Sequence, residues 1–288
     1  SIFFKKDIGI LARNGFSFET SKRIMDLSQD DYEKIIRLLS LSRFFYSMES
    51  LYLDPGMNKS EVQKALHHMV SQSGLRDSYV AMVCSRGRPK IPGSRDPRDC
   101  ENHFFAWCVP YVHVIKPEII DQGATAWISQ NVYRIPEESV NPRVKNYHWG
   151  DFTQGIFEAK DNKYETVILL DFDGNVTEGP GFNVFAIKDG VLITPDRGVL
   201  AGVSRKTVLE IADYLGIGTS IRPLSVDELL AADEFFLSSS VGGVIPIVRV
   251  NETIYGNGVK GPISVRLNET YWQWTTLEKY RDPINYIA

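Results

Sequence analysis

Lys145 stands in the segment NPRVKNYHWGDF, after a β-like run and directly before Tyr147, His148 and Trp149. A single lysine is most often a solvated surface charge. This one has no neighbouring acid in sequence, and three ring side chains follow it. An amine held among rings is desolvated, which favours its neutral form and makes it available for imine chemistry. Glu178, in NVTEGPGFN, follows a strand-like run. It is either a turn carboxylate or a fixed anion at a strand end, able to hold a protonated ring nitrogen. In LAGVSRK, residues Gly202, Val203 and Ser204 precede a clear helical pattern. Ser204 is a plain N-cap by default, but the same geometry makes an anion site from free amides at the positive helix end. LSSSVGG offers a second one, with hydroxyls at Ser239 and Ser240 and exposed amides at Gly242 and Gly243.

Other chemistries find no support. His67 and His68 lie in a helical stretch without a third ligand at metal spacing, and there is no H-E-x-x-H. No G-x-S-x-G and no Walker loop occur, which argues against a serine hydrolase and a P-loop enzyme. The expectation is no metal.

The elements that must position these residues change character along the chain. Lys22 to Met48 has a helical pattern, with Ser28 or Asp30 as caps, and Ser60 to Ser73 reads as a second helix opened by Ser60 and closed at Gly74. Two strand-like runs, SYVAMVCSRG and NHFFAWCVPYVHVI, flank RPKIPGSRDPRD, an exposed loop by its Pro, Gly and charge. KPEIIDQGA reads as a linker. Beyond it strands alternate with helices: ATAWISQNVYR, then ETVILLDFDGNVTEG with a turn at Asp173-Gly174, then FNVFAIKDGVLITP as a hairpin with Asp189-Gly190 at its tip. SRKTVLEIADYLG is a helix stopped by Gly216, and SVRLNETYWQWTTLEKY closes the chain as another. The pattern is mixed α/β, with a break near residue 120.

Bulk properties bound the answer further. The sequence has 288 residues, 43% hydrophobic and 24% charged, with a net charge of −4. That is ordinary globular composition, sized for one large or two smaller domains. No basic block points to nucleic acid or an anionic membrane, and no apolar run approaches the roughly 18 residues of a membrane span. The three cysteines form no CxxC pair, and the first residues lack a signal-peptide pattern. Free thiols and a cytoplasmic location are expected, which makes the N-x-[ST] triplets at Asn58, Asn175, Asn251 and Asn268 chance matches.

Taken in order, VKNYHWGDF, VTEGPGFNVF, PDRGVLAGVSRKTV and DEFFLSSSVGG resemble the fold-type IV pyridoxal-phosphate family. Within that family the sequence most resembles the (R)-selective amine transaminases. The resemblance implies a fold of α/β (α+β) class with a small N-terminal α/β domain over residues 1–117, a linker at 118–123 and a larger C-terminal cofactor-binding domain over 124–288. It implies pyridoxal 5'-phosphate as cofactor, and transfer of an amino group from a primary amine, R-configured, or a D-amino acid to a keto acid. A branched-chain aminotransferase, an aminodeoxychorismate lyase of the same fold, or a non-catalytic relative are the alternatives.

The roles it implies are specific. Lys145 holds the cofactor through an imine and shuttles the proton. Glu178 pairs with the ring nitrogen. Val203 (through its amide), Ser204, Ser239 and Ser240 hold the phosphate, joined by Arg43, which an ungapped count back from SEVQKAL places at the family's phosphate-binding arginine. Leu200 packs on a ring face, and Tyr79 and Trp149 line the substrate pocket. A homodimer with its active site at the interface follows from the same kinship. The resemblance stops short of residues 1–42, where the family has a strand pair and an active-site loop and this sequence reads mostly as helix. Some relatives carry glutamate where this chain has Ala81, and a loop arginine near Pro92 for the acceptor carboxylate. Arg88, Lys90 and Arg95 are the candidates for that role here.

Overall fold

A computed structural model describes residues 38–277, 280 and 282–286. The described residues fall into two compact units. The larger comprises His113–Arg143 and Tyr147–Thr275, and the smaller holds residues up to Val112, the tripeptide Val144–Asn146 and the chain beyond Thr275.

In the smaller unit, helix α1 (Leu38–Ser50) is the described part of the helical pattern expected from Lys22 to Met48. The caps read at Ser28 and Asp30 lie outside the described residues. Helix α2 (Lys59–Ser73) opens one residue before the expected Ser60. Its cap is Asn58, whose side chain accepts the Glu61 N–H at 3.1 Å while the Glu61 carboxylate accepts the Asn58 N–H at 2.7 Å. This reciprocal box satisfies two otherwise orphaned donors. Gly74 ends the helix in the left-handed conformation. Strands β1 (Ser78–Pro89) and β2 (Cys100–Pro110) form an antiparallel pair. β2 alternates half-buried and exposed residues because only one face of this two-stranded sheet packs on Leu41, Val62, Leu66 and Val70 of the helices. The loop between the strands is largely exposed, as expected, with one 3-10 turn at Pro97–Asp99. The segment 282–286 returns to α2: Ile284 is buried in this core and Asp282 accepts from His67 at 2.9 Å.

The larger unit is built on one nine-stranded sheet. Its elements in chain order are α3 (Pro117–Gln122), β3 (Ala124–Tyr133), α4 (Gly150–Asp161), β4 (Thr166–Leu170), β5 (Glu178–Gly179), β6 (Phe182–Lys188) and β7 (Val191–Thr194). Then follow α5 (Val203–Tyr214), β8 (Thr219–Ile221), α6 (Val226–Leu230), β9 (Glu234–Ser239), β10 (Gly243–Val250), β11 (Thr253–Ile254) and α7 (Pro262–Trp274). The main path runs β4-β3-β10-β9-β6-β7-β8, with β11 on β10 and β5 on β6. The pairs β3–β4, β3–β10 and β7–β8 are parallel, and β9 is antiparallel to both β6 and β10. The stretch read as a linker carries the short helix α3, with proline at its start.

Strands β6, β9 and β10 are buried on both faces, which explains their nearly unbroken apolar sequence. Phe185, Ile187, Phe236 and Val244 point to the layer of α5 and α7, where Val208, Ile211 and Leu267 meet them. Val184, Ala186, Phe235, Leu237 and Ile245 point the other way into a second core with Ile128, Ile168 and Leu224. The β6–β7 hairpin turns at Asp189 (φ 50°) and Gly190 (φ 74°), both left-handed as a tight primed turn demands. α7 ends at Trp274, earlier than the expected closing helix. GNGVKG at 256–261 has G-x-G-x-x-G spacing, but it follows a two-residue strand as a 3-10 turn and leads into α7 at Pro262. It does not open a βαβ unit, so the spacing does not make a dinucleotide-binding turn.

Candidate active site

Glu178 is the first residue of β5, paired opposite Asn183 of β6. Its Oε2 accepts the Leu200 N–H at 2.8 Å and the Asn183 amide at 3.1 Å. Its Oε1 lies 3.4 Å from Nη2 of Arg134. The other arm of that guanidinium, Nη1, donates to Asp151 Oδ2 at 2.6 Å. All three side chains are 6% exposed. The same Asp151 oxygen accepts the Ile135 N–H, and Asp151 Oδ1 accepts the Phe152 N–H at the start of α4. Arg134 is pinned from both sides: its own N–H donates to Leu170 at 2.8 Å, and its guanidinium carbon lies 4.3 Å above the Phe152 ring. Donors with fixed geometry replace the water that burial removed from these carboxylates, without which the charges would be untenable.

A short loop connects this acid corner to a helix end. Leu200, which donates to Glu178, accepts at its carbonyl from the Asn183 amide at 3.0 Å and from the Gly202 N–H at 2.7 Å. α5 begins at Val203, and its N-cap Gly202 provides no side-chain cap. Ser204 is therefore the second helical residue rather than the cap. The first intrahelical bond is from the Lys206 N–H to the Gly202 carbonyl, so the amides before it have no acceptor inside the helix. Ser204, buried, lies 3.0 Å from the Tyr271 hydroxyl and 3.3 Å from the hydroxyl of Ser240, which is exposed at the end of β9. Ser239 is buried, and its hydroxyl accepts the Gly242 N–H at 2.9 Å, closing the turn into β10. An uncapped helix start flanked by paired hydroxyls suits an oxyanion such as a phosphate. Nearby, Arg205 bonds Thr194 and Pro195. Burial holds its pKa below the usual guanidinium value, and the Arg143 charge adds to that while Glu178 and Asp196 oppose it.

Of the remaining expected residues, Arg43, Tyr79 and Lys145 belong to the smaller unit and Trp149 to the larger. Lys145 belongs to the smaller unit, where its N–H donates to the buried Ser47 hydroxyl at 3.1 Å. Its side chain is exposed in the single chain, and Tyr147 is 72% exposed. The segment is irregular backbone, and the Trp149 ring packs edge-on against Phe152 at 5.7 Å. Arg43, on α1, is half-buried, and burial lowers its pKa. It forms no ion pair with any described carboxylate. Tyr79 is half-buried on β1, opposite Val109. Arg88 is exposed near the end of β1, opposite Glu101, and Lys90 and Arg95 are exposed on the loop that follows, with Lys90 3.9 Å from Glu101. Among the described residues no cluster of three metal-ligating side chains occurs, and the three cysteines are free. No described helix is long and apolar enough to cross a membrane.

Residues 39–250 match the family described as Amino-transferase class IV. The chain belongs to this family. Among its relatives within this group is the branched-chain-amino-acid aminotransferase of Salmonella typhimurium, 27% identical over 235 residues, which cover 78% of this chain and 75% of that protein. Among solved structures, the branched-chain aminotransferase of Thermoproteus uzoniensis with norvaline superposes with a TM-score of 0.77 at 27% identity, covering 85% of this chain and 82% of that one. The branched-chain aminotransferase of Thermobaculum terrenum in its PLP-form gives 0.76 at 25% identity, covering 85% and 81%. The expected fold-type IV architecture is therefore present. The relatives' names follow the branched-chain alternative rather than the narrower (R)-selective resemblance.

Four residues of the site escaped the sequence reading. Arg134 ends a strand-like run in VYRIP and looks like a surface charge. Asp151 was part of the quoted WGDF motif but carried no role of its own. Asn183 and Tyr271 pass as a strand residue and a helix aromatic. The available signal was the spacing of Asp151, six residues after Lys145 and at the first turn of a helix, where an acid is favoured.

Proposed function

We propose that this class IV aminotransferase uses pyridoxal 5'-phosphate to exchange the amino group between a branched-chain amino acid and a keto acid. The observation that carries this reading is the loop from Leu200 to Ser204, which joins a buried carboxylate to an uncapped helix start within five residues. A phosphorylated pyridine has both a basic ring nitrogen and a dianion, and these are the two groups that the loop's ends suit. When bound, the cofactor supplies an aldehyde that links to amines and a protonated ring that draws electrons from the substrate's Cα–H bond.

The chain's own residues do the rest. Glu178 holds the ring-nitrogen proton. The Val203 and Ser204 amides with the Ser204 and Ser240 hydroxyls bind the phosphate, and Arg43, a cation already stripped of part of its water, adds charge to it. Ser239 shapes the turn that presents Ser240. Leu200 packs on the ring, and Tyr79 and Trp149 bound the substrate side. The amine of Lys145 carries the cofactor between turnovers, removes the proton from the substrate carbon and returns it to the other reacting carbon. The enzyme works as a cytoplasmic homodimer.

Two measurements test this. Borohydride reduction of the cofactor-loaded enzyme should fix the cofactor to the peptide containing Lys145, and Lys145→Ala should abolish both the adduct and turnover. An adduct of equal yield in the variant would overturn the assignment. Turnover should be fastest with L-valine, L-leucine or L-isoleucine as donor. The Pro92-Gly93-Ser94-Arg95-Asp96 loop favours a second reading, an (R)-amine or D-amino acid donor, since its PG-x-RD pattern resembles that of some amine transaminases. Activity confined to (R)-1-arylethylamines or D-amino acids would select that reading over the first.

A further inference from the structure

Asn183 stands on β6, opposite Glu178 of β5 and Ser238 of β9, and its side chain is buried. The side-chain nitrogen has two hydrogens, and two acceptors meet them: Glu178 Oε2 at 3.1 Å and the Leu200 carbonyl at 3.0 Å. Because both neighbours accept, the nitrogen and not the oxygen of the amide faces them. Leu200 in turn donates its N–H to the same Oε2 at 2.8 Å. Carboxamide, carboxylate and the Leu200 peptide therefore close a ring, and Glu178 cannot swing without breaking two bonds at one oxygen. The other end of the amide reaches the start of α5. Its oxygen lies only 2.1 Å from the place a Cβ on the N-cap Gly202 would occupy, an approach that a residue without a side chain permits. Gly202 is itself tied back to the Leu200 carbonyl at 2.7 Å. One carboxamide thus touches the acid, the loop and the helix cap.

We propose that Asn183 is a positioning residue that sets the distance between the carboxylate for the ring nitrogen and the helix start for the phosphate, so that the two ends of the cofactor are bound cooperatively. A ligand that engages two sites at once gains most when their separation is fixed beforehand. Anchoring one end then places the other without further loss of freedom. Residues Leu200 to Gly202 belong to no helix or strand, and hydrogen bonds to Glu178 and Asn183 tie them to β5 and β6. In this role the carboxamide touches neither the ring nitrogen nor the phosphate. Its effect lies in the advantage of carrying both groups on one molecule.

This inference rests on the proposed use of pyridoxal phosphate, and its test separates the two. The full-length enzyme, freed of cofactor, is titrated with pyridoxal 5'-phosphate and with pyridoxal, which has the same ring and aldehyde but no phosphate. Absorbance of the bound aldehyde gives both dissociation constants. The wild type should strongly prefer the phosphorylated form. Asn183→Ala should reduce that preference by about 10-fold, the scale of one or two ordinary hydrogen bonds, although every phosphate-binding residue is intact. Gly202→Ala, whose methyl displaces the same amide, should reduce it by a similar factor, which keeps the idea testable if Asn183→Ala does not fold. A carboxamide that only stabilises the fold would lower the unfolding temperature and weaken both ligands by one common factor. That leaves the preference as in the wild type, and an unchanged preference in either folded variant overturns the inference. A wild type that fails to distinguish the two ligands would instead defeat the proposed function.

Discussion

Gly202→Ala turns the geometry of the loop into a measurable coupling. Gly202 has φ −64° and ψ 138°, which any residue adopts, so an alanine there meets no backbone strain. Its Cβ, however, would sit 2.1 Å from Asn183 Oδ1 and 3.3 Å from Asn183 Cγ. The amide must retreat by about 1 Å to reach ordinary contact distance. That retreat takes its nitrogen out of range of Glu178 Oε2 and the Leu200 carbonyl, now 3.1 and 3.0 Å away. The neutral bond is worth about 1 kcal/mol and the one to a charged group about 2 kcal/mol, so the variant should lose about 3 kcal/mol. Asn183→Ala forfeits the same two bonds and should lose about as much. In the double variant the clash is gone and the bonds are already absent, so the loss should stay near ~3 kcal/mol rather than doubling. Urea unfolding of all four proteins, followed by tryptophan fluorescence, measures the cycle. Additivity to within about 0.5 kcal/mol would show that the two sites do not share these bonds and would refute the reasoning.

Two further predictions concern other parts of the larger unit. Burial raises the pKa of the Tyr255 phenol well above its ordinary value of 10.0, and its hydroxyl donates to the Leu229 carbonyl at 2.8 Å. The folded chain therefore holds this proton more tightly than the unfolded chain, so stability is full below about pH 10 and declines as pH rises above it. Tyr255→Phe should flatten that decline in an alkaline series of urea titrations, and parallel curves for the two proteins would count against it. Glu234, buried at the start of β9, accepts the Ile263 and Ser264 N–H groups at 2.9 and 2.8 Å and so caps α7 from a neighbouring strand. Glu234→Ala should destabilise by about 3–5 kcal/mol, and Glu234→Gln by less because it retains one acceptor. A loss below about 1 kcal/mol for the alanine variant would show that the helix end is satisfied otherwise.

The parts of this protein that follow local rules were open to reading from its residues. Asp189-Gly190 announces a hairpin, Gly74 and Gly216 mark helix ends, and the apolar runs of β6 and β9 follow from burial on two faces. Long-range pairings were not open in the same way. The sheet order places β10 between β3 and β9, a consequence of packing that no single segment encodes. The cap of α2 was misplaced by two residues because Asn58 and Ser60 are both good caps, each followed three residues later by a box partner, Glu61 or Gln63, and Gln63 is drawn off to Asp282. In the site, Glu178 and Ser204 drew notice through their motifs. Arg134 did not, because a buried arginine differs from a surface one only through partners at positions 151 and 178, far away in sequence.

Leu200 is tied into place wholly by its main chain, through one donated and two accepted bonds. None of these bonds consults the isobutyl group. Scaffolding and contact surface are therefore separable at this position, so natural drift or deliberate redesign can swap the side chain for another apolar one while the peptide unit continues to steer the carboxylate at 178. A residue wired in this manner is a dial: it alters the fit of whatever lies against it without loosening the frame.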